Sequence, residues 1–299
     1  MLFVACAELL TIYDAKAGIA LHVIILFVLL FHSALESDED KNLSRFLMVL
    51  VLAPLVRILS LSMPLVHFSR ISGFILISIP IFIAIFTCMW VQELRPKDVG
   101  LSLPKLKHTL NEEPCGKPQG INVHIPTATA ATLWQATGNP QVEAGVILFA
   151  IPVGMIEYQI LKPAPLPIGS GVPNFITLLS IFIVCTGFLE ELTFRGLIPL
   201  NAIKLMSKWW GILFVTTIFG VLHVGNLALL DCLLAFSIGF IFSVVREKTG
   251  SIYGISVSHG IINIILFLVA PLYVIFNHIY IISHRIRMKN HVITNGNRN

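Results

Sequence analysis

Long apolar stretches separated by short polar connections dominate the 299-residue chain. A helix needs about 20 mostly apolar residues to cross the hydrocarbon core of a bilayer. This criterion predicts an all-α, polytopic membrane protein with about eight transmembrane helices. The predicted spans are Ala17–Leu35, Phe46–Met63, Ile71–Val91, Val142–Leu161, Phe175–Leu197, Trp209–Leu227, Ala228–Val245 and Ile252–Ile282.

The segments outside these spans divide the chain. Met1–Tyr13 is apolar but short, so we expect it to lie at the membrane interface. Gln92–Gln141 carries six prolines, which rule out a long helix there. We therefore predict an N-terminal membrane region of three spans plus a long loop (1–141) and a C-terminal membrane core (142–299). Ile252–Ile282 exceeds one perpendicular span, and we expect it to tilt or to break, with Pro271 as the candidate break point.

Composition supports membrane integration. Hydrophobic residues make up 56% of the chain, charged residues 12%, and the mean hydropathy is +0.86. A soluble domain carries about 25% charged residues, so a water-surrounded fold is excluded. The net charge of +4 gives no indication of a nucleic-acid partner. The five cysteines include no C-x-x-C pair and predict no disulfide framework.

Basic residues concentrate in the loops on one side of the predicted bundle. The positive-inside rule places that side in the cytoplasm and both termini outside. Arg285, Arg287 and Lys289 in the tail would then also lie outside, against the rule. The loop residues on the cytoplasmic side are Lys41, Arg45, Arg95, Lys97, Lys105, Lys107, Lys204, Lys208, Arg246 and Lys248.

Polar residues inside three spans are the candidates for chemistry, since ionisable groups in hydrocarbon are costly. Glu191 and Arg195 are four residues apart in the favourable order, which predicts a neutralising pair. Glu190 points about 100° away and is left as the unpaired carboxylate. His259 and Asn263 are also four apart, so both can face one substrate atom.

Together with His223, these residues supply what peptide hydrolysis needs. Glu190 would be the base, His223 a partner that orients water or moves a proton, and His259 with Asn263 the oxyanion donors. The helical rise places Glu190 and His259 roughly 10 Å from the cytoplasmic edge and His223 roughly a further 10 Å deeper.

A purely structural interpretation stands beside this one. A buried Glu–Arg pair can simply join helices, and an intramembrane histidine can be a packing residue. The other eight histidines, including His22, have no chemical neighbour in sequence and are assigned no role. Asp231 is predicted to be interfacial rather than catalytic.

The polar residues of these three spans form sequence patterns that resemble the motifs of the CPBP (Abi) family of intramembrane proteases. This family includes the type II CaaX prenyl endopeptidases. The family pattern is E-E-x-x-x-R, then F-x-x-x-H, then H-x-x-x-N. The chain has Glu190-Glu191 with Arg195, then Phe219 with His223, then His259 with Asn263, in that order. The resemblance covers roughly the last 125 residues; the first 140 share only hydrophobicity with the family.

The resemblance implies about eight helical spans and an endopeptidase whose site opens near the cytoplasmic side. It implies that Glu190 and His223 activate water, and that His259 and Asn263 stabilise the oxyanion. Glu191 and Arg195, with Phe219 as a further supporting residue, would hold the site together. The implied partners are a membrane-associated protein or peptide substrate and the lipid bilayer.

The cofactor requirement stays open at this point. We favour a metal-free glutamate mechanism, because the H-E-x-x-H zinc motif is absent. If the enzyme depends on a metal, Zn²⁺ would be held by Glu190, His223 and His259.

Two other classes of function are compatible with the sequence. The chain could be a non-catalytic membrane protein that binds peptides, such as an immunity protein. It could also be a proton-coupled transporter that uses the buried His and Glu residues as a relay. The absence of an internal repeat argues against the transporter.

Overall fold

A computed structural model describes residues 1–62, 70–101, 140–166 and 172–277, together with 280, 281 and 284. All regular structure within these ranges is helical. Most of the predicted Gln92–Gln141 loop and the basic residues of the tail lie outside the described residues.

The helices reproduce the predicted series of spans. Among the described residues, eight helices are long and apolar enough to cross a membrane, which confirms the prediction of an all-α polytopic protein. One of these spans, Lys41–Ser62, consists of two consecutive helices. The helices are α1 (Leu2–Tyr13), α2 (Ala15–Leu35), α3 (Lys41–Leu50), α4 (Leu52–Ser62), α5 (Arg70–Val91), α6 (Pro140–Leu161), α7 (172–205), α8 (Lys208–Val221), α9 (Leu229–Thr249) and α10 (Tyr253–Asn277).

The first turn of the fold depends on Asp14. Its extended backbone ends α1, and its side chain accepts hydrogen bonds from the backbone N–H groups of Lys16 and Ala17 at the start of α2. An aspartate in this position satisfies N–H groups that the helix itself cannot pair. Helix α1 folds back and packs against α2 instead of continuing it.

Helix α7 departs from regular α geometry on both sides of the two glutamates. One α-helical turn, Leu189–Glu191, lies between two π-helical segments, Phe182–Phe188 and Leu192–Leu197. π-helical turns are rare and occur frequently at functional sites. The local backbone is therefore unusual at the position where the sequence predicts catalysis.

Helix α7 also continues to Leu205, eight residues beyond the predicted end at Leu197. Glu190 therefore lies near the middle of the helix, roughly 20 Å from its C-terminal end at the α-helical rise. The sequence analysis placed Glu190 roughly 10 Å from the edge because it took Leu197 as the end of the helix. With the helix end at Leu205, that distance roughly doubles.

Helix α10 does not break at Pro271. It continues to Asn277, with a π-helical segment at Ile265–Val269 just before the proline. Proline cannot donate a helical hydrogen bond, and an irregular turn beside it is where the hydrogen-bond ladder is rearranged.

Two glycines allow α7 and α10 to approach each other closely. A Cβ atom on Gly187 would lie 2.7 Å from the backbone nitrogen of Gly260, and one on Gly260 would lie 2.7 Å from the Cα of Ile183. Both distances are shorter than real Cβ contacts, so side chains at these positions would push the helices apart. This close approach brings the predicted glutamates next to His259.

The Gly187–Gly260 contact gives a test of the helix packing. We expect Gly260→Ala to lower the free energy of unfolding by about 1–3 kcal/mol, because the added methyl group overpacks the interface. Gly145→Ala is the matched control, since a Cβ there has no neighbour within 4 Å. The control should be neutral or slightly stabilising, because alanine favours helix more than glycine does. Thermal unfolding in detergent measures both, and equal effects would contradict the packing argument.

Candidate active site

One cavity contains all seven residues that the sequence motifs single out. It lies between α6, α7, α9, α10 and the C-terminal end of α8. The structure therefore brings the three motifs together, while the roles of the individual residues stay predictions. The seven residues are Glu190, Glu191, Arg195, Phe219, His223, His259 and Asn263.

The carboxylate of Glu191 joins two of the motifs. It is fully buried, and its Oε1 atom accepts a hydrogen bond from Arg195 Nη1 at 3.0 Å and one from His259 Nδ1 at 2.7 Å. The Glu191–Arg195 pair expected from the four-residue spacing is present. The bond to His259 links α7 to α10 and fixes the orientation of the imidazole ring.

Glu190 has a different environment from its neighbour. Its side chain is 28% exposed, its Oε2 atom lies 3.8 Å from His259 Nε2, and no described residue donates a hydrogen bond to it. The two glutamates thus approach opposite nitrogens of the same imidazole. Glu191 is committed to structural contacts, and Glu190 is the carboxylate that a water molecule or substrate can reach.

The ring of Phe219 packs against side chains from all three motifs. The guanidinium of Arg195 lies over its face, with Cζ 4.2 Å from the ring centroid. Its centroid is 5.0 Å from that of His223 and 6.2 Å from that of His259, the latter in an edge-to-face arrangement. A cation over an aromatic face is stabilised, all the more so when it is desolvated. Phe219 therefore acts as the common packing surface of the site.

His223 lies just beyond α8, where the chain leaves the helix in a short 3₁₀ turn, Val224–Asn226. Its Nδ1 atom lies 2.8 Å from the carbonyl oxygen of Phe219. A carbonyl can only accept, so Nδ1 carries the proton. In the neutral ring Nε2 then has a free lone pair, and it makes no hydrogen bond with a described residue.

Asn263 is held by Thr186 across the α7–α10 interface. The Thr186 hydroxyl donates its proton to the carbonyl oxygen of Phe182 and accepts a hydrogen bond from Asn263 Nδ2 at 3.0 Å. Because the single hydroxyl proton is already used, Thr186 can only act as an acceptor toward Asn263. This fixes the amide orientation and leaves the second N–H of Nδ2 without a described partner.

Sequence reasoning missed one acidic residue of the cavity, Glu157. Glu157 on α6 lines the same cavity, and no described residue hydrogen-bonds to it. The sequence did indicate Glu157, because a carboxylate inside a predicted span, here Val142–Leu161, is a candidate functional residue. Asp231, expected at the interface, is buried and accepts a hydrogen bond from Asn226 Nδ2 at 2.7 Å.

His22, to which the sequence assigns no chemical role, has a hydrogen-bonding partner that is distant in the chain. His22 is buried, and its Nε2 lies 3.1 Å from Glu8 Oε1. The partner is fourteen residues earlier, on a separate helix, where the local sequence gives no indication of it.

The donor set does not fit a metal in this structure. Among the described residues, no three His, Cys, Asp or Glu side chains converge as a metal site would require. His259 and the fully buried Glu191 are hydrogen-bonded to each other. The ligand set predicted for a metal-dependent enzyme, Glu190, His223 and His259, lines the cavity without forming such a cluster.

Fold and site define a polytopic helical membrane protein with a buried carboxylate–imidazole centre. Residues 172–265, about a third of the chain, match the family model described as Type II CAAX prenyl endopeptidase Rce1-like. The match includes all three motifs and confirms, for this segment, the resemblance to the intramembrane protease family. Searches of curated proteins and of solved structures found no match.

The buried Glu191–Arg195 pair should dominate local stability. Arg195→Met leaves a buried carboxylate without its cation, and we expect it to lower the free energy of unfolding by about 3–5 kcal/mol. Lys208→Met is the control, because it breaks a half-exposed ion pair with Glu247 and should cost less than about 1 kcal/mol. Denaturant or thermal unfolding of the purified proteins gives both values. A cost for Arg195→Met as small as that of the control would show that the pair is not a structural requirement.

Proposed function

We propose that the protein is an intramembrane endopeptidase that hydrolyses peptide bonds of membrane-associated proteins, with Glu190 as the base that activates water. The observation that carries this proposal is the contrast between the two adjacent glutamates in one cavity. Glu191 is buried and its Oε1 atom is bonded to both Arg195 and His259, whereas Glu190 is partly exposed and has no hydrogen bond from a described residue. The family match over residues 172–265 supports the same reaction class.

The first step is attack of water on the scissile carbonyl carbon. Glu190 accepts one proton from the water while the water oxygen forms a bond to that carbon. His223 lines the same cavity, and its free Nε2 can hold the water in position by accepting a hydrogen bond from the second O–H group. A positioned acid or base of this kind accelerates a reaction by about 10²–10⁴-fold.

The tetrahedral intermediate carries its negative charge on the former carbonyl oxygen. Asn263 offers the N–H that Thr186 does not use. His259 Nδ1 already donates to Glu191, so donation from Nε2 to the oxyanion requires the doubly protonated ring. Fixed donors of this type stabilise an oxyanion because they need no reorganisation during the reaction.

Collapse of the intermediate completes the cycle. The carbon–nitrogen bond breaks as Glu190 returns its proton to the leaving amine nitrogen, which gives a free amine and a carboxylic acid. Glu190 is then ionised again, so no other reactant is consumed. We place the opening of the cavity near the cytoplasmic side on the positive-inside argument.

Cleavage of a membrane-embedded reporter library in proteoliposomes tests the proposal. We expect the wild-type protein to cut members of the library, and Glu190→Gln to lower the rate by about 10²–10⁴-fold, because it removes the base and nearly keeps the shape. His223→Asn removes the Nε2 acceptor that holds the water and should also lower the rate. Mass spectrometry identifies the bond that is cut. Glu247→Gln, which changes a carboxylate outside the cavity, is the control and should retain wild-type activity.

Each outcome separates the alternatives. Binding of reporter peptides without cleavage by any preparation would favour a non-catalytic peptide-binding protein. Cleavage by Glu190→Gln at the wild-type rate would refute Glu190 as the base. Activity lost with a chelator and restored by Zn²⁺ would establish a metal-dependent reaction and overturn the metal-free mechanism.

The Thr186–Asn263 hydrogen bond makes a further prediction. Thr186→Val has nearly the same shape but cannot accept a hydrogen bond, so the amide of Asn263 loses its fixed orientation. We expect kcat to fall on the order of tenfold, the equivalent of one hydrogen bond. Thr186→Ser retains the hydroxyl and should cleave the reporter at close to the wild-type rate. Equal kcat values for the two variants would show that Thr186 does not orient Asn263.

A further inference from the structure

A second cluster of ionisable side chains lies outside the cavity, among the N-terminal helices. Glu8 of α1 and His22 of α2 are fully buried, and Arg57 of α4 is only 15% exposed. The Glu8 carboxylate accepts from His22 Nε2 at 3.1 Å and from two nitrogens of Arg57, with Nη2 at 2.6 Å. This paired contact with both carboxylate oxygens fixes the plane of the guanidinium.

The guanidinium lies directly against the turn that follows His223. A Cβ atom on Gly225 would be 2.7 Å from Arg57 Nη2 and 3.6 Å from Glu8 Oε2. Helix α1 also packs against this turn, 224–226. The N-terminal cluster therefore contacts the backbone two residues beyond His223, on a part of the chain that no motif includes.

His223 itself closes this turn. Its carbonyl oxygen accepts from the backbone N–H of Asn226 at 3.0 Å, and its own N–H donates to the carbonyl of Gly220 at 3.1 Å. Asn226 is held in turn by Asp231 of α9. Arg57 thus packs against the turn at Gly225, and Asp231 hydrogen-bonds to it at Asn226. Because His223 closes the same turn, the conformation of the turn and the backbone of His223 are coupled.

Helix packing alone does not account for such a cluster. Burying an ion pair costs about as much desolvation free energy as the attraction returns, and apolar residues of similar size often serve as well. Ionisable groups within apolar helices are retained where they serve a function. In this cluster, the Arg57 guanidinium packs against the turn that follows His223.

We propose that Arg57, oriented by Glu8 and His22, is a positioning residue for His223: it fixes the 223–226 turn from outside the cavity. The catalytic consequence rests on the function proposed above, and the structural consequence does not. The first 62 residues then complete a site whose motifs all lie within residues 172–265. The N-terminal region contributes to the reaction without touching the substrate.

The test follows the His223 ring directly, by NMR of the full chain in detergent with ¹⁵N-labelled histidine. The two ring-nitrogen resonances that disappear in His223→Asn are assigned to His223. Arg57→Lys keeps the charge that Glu8 needs but lacks the planar fork that reaches the turn. We expect it to shift or broaden the His223 resonances, and to lower kcat for reporter cleavage about tenfold with KM within a factor of two.

Arg246→Lys is the matched control. Arg246 is also a partly buried arginine that packs against a glycine, Gly100, and donates to a backbone carbonyl, that of Asp98, away from the 223–226 turn. It should leave the His223 resonances and kcat unchanged. If Arg57→Lys fails to fold, Gly225→Ala perturbs the same contact from the opposite side and gives the same readout.

His223 resonances that match the wild type in a folded variant of this contact would overturn the proposal, whatever the activity. Resonances that move equally in the Arg246→Lys control would overturn it too, because the effect would then be global. A wild-type protein that cuts no reporter refutes the proposed function, whereas the NMR comparison still decides whether Arg57 positions His223.

Discussion

The rest of the site depends on one buried carboxylate, that of Glu191. An isolated carboxylate inside apolar helices is strongly unfavourable, so Glu191 requires donors, and its neighbours supply them from two helices. Arg195 lies one turn further along α7, and His259 reaches across from α10. The donation from His259 works only because Gly187 and Gly260 let the helix backbones meet. Close packing and charge compensation are thus one requirement, and together they set the position of the imidazole.

Two glutamates that are adjacent in sequence acquire opposite character from this arrangement. Glu191 is enclosed, and both donors reach the same oxygen, Oε1. Glu190 leaves the helix in another direction and keeps a carboxylate that faces the cavity. The ring of Phe219 packs against Arg195, His223 and His259 at the same site. The two side chains are chemically identical, so their surroundings alone make Glu191 the enclosed carboxylate and Glu190 the accessible one.

Local patterns in the sequence were sufficient for much of this. Hydropathy located the eight spans to within a few residues, except that α7 is longer, and the four-residue spacing identified the Glu191–Arg195 pair. Local sequence patterns could not predict contacts between residues that are distant in the chain. His22 and Arg57 both reach Glu8 only after three helices pack together, and nothing near His22 in the chain indicates that. The π-helical turns have no recognisable pattern either, because helix prediction assumes a constant 3.6-residue period.

The π-helical segments of α7 allow the helix to lose one residue on either side of the two glutamates without changing the turn that carries them. Each π-helical turn contains about one residue more than an α-helical turn, so it includes one residue that an α-helix would not need. A related chain that is one residue shorter within 182–188 or 192–197 can lose that surplus and become regular α-helix there. Glu190 and Glu191 would then point in the same directions as before, although the chain is one residue shorter. An alignment gap beside these glutamates is therefore compatible with an unchanged site.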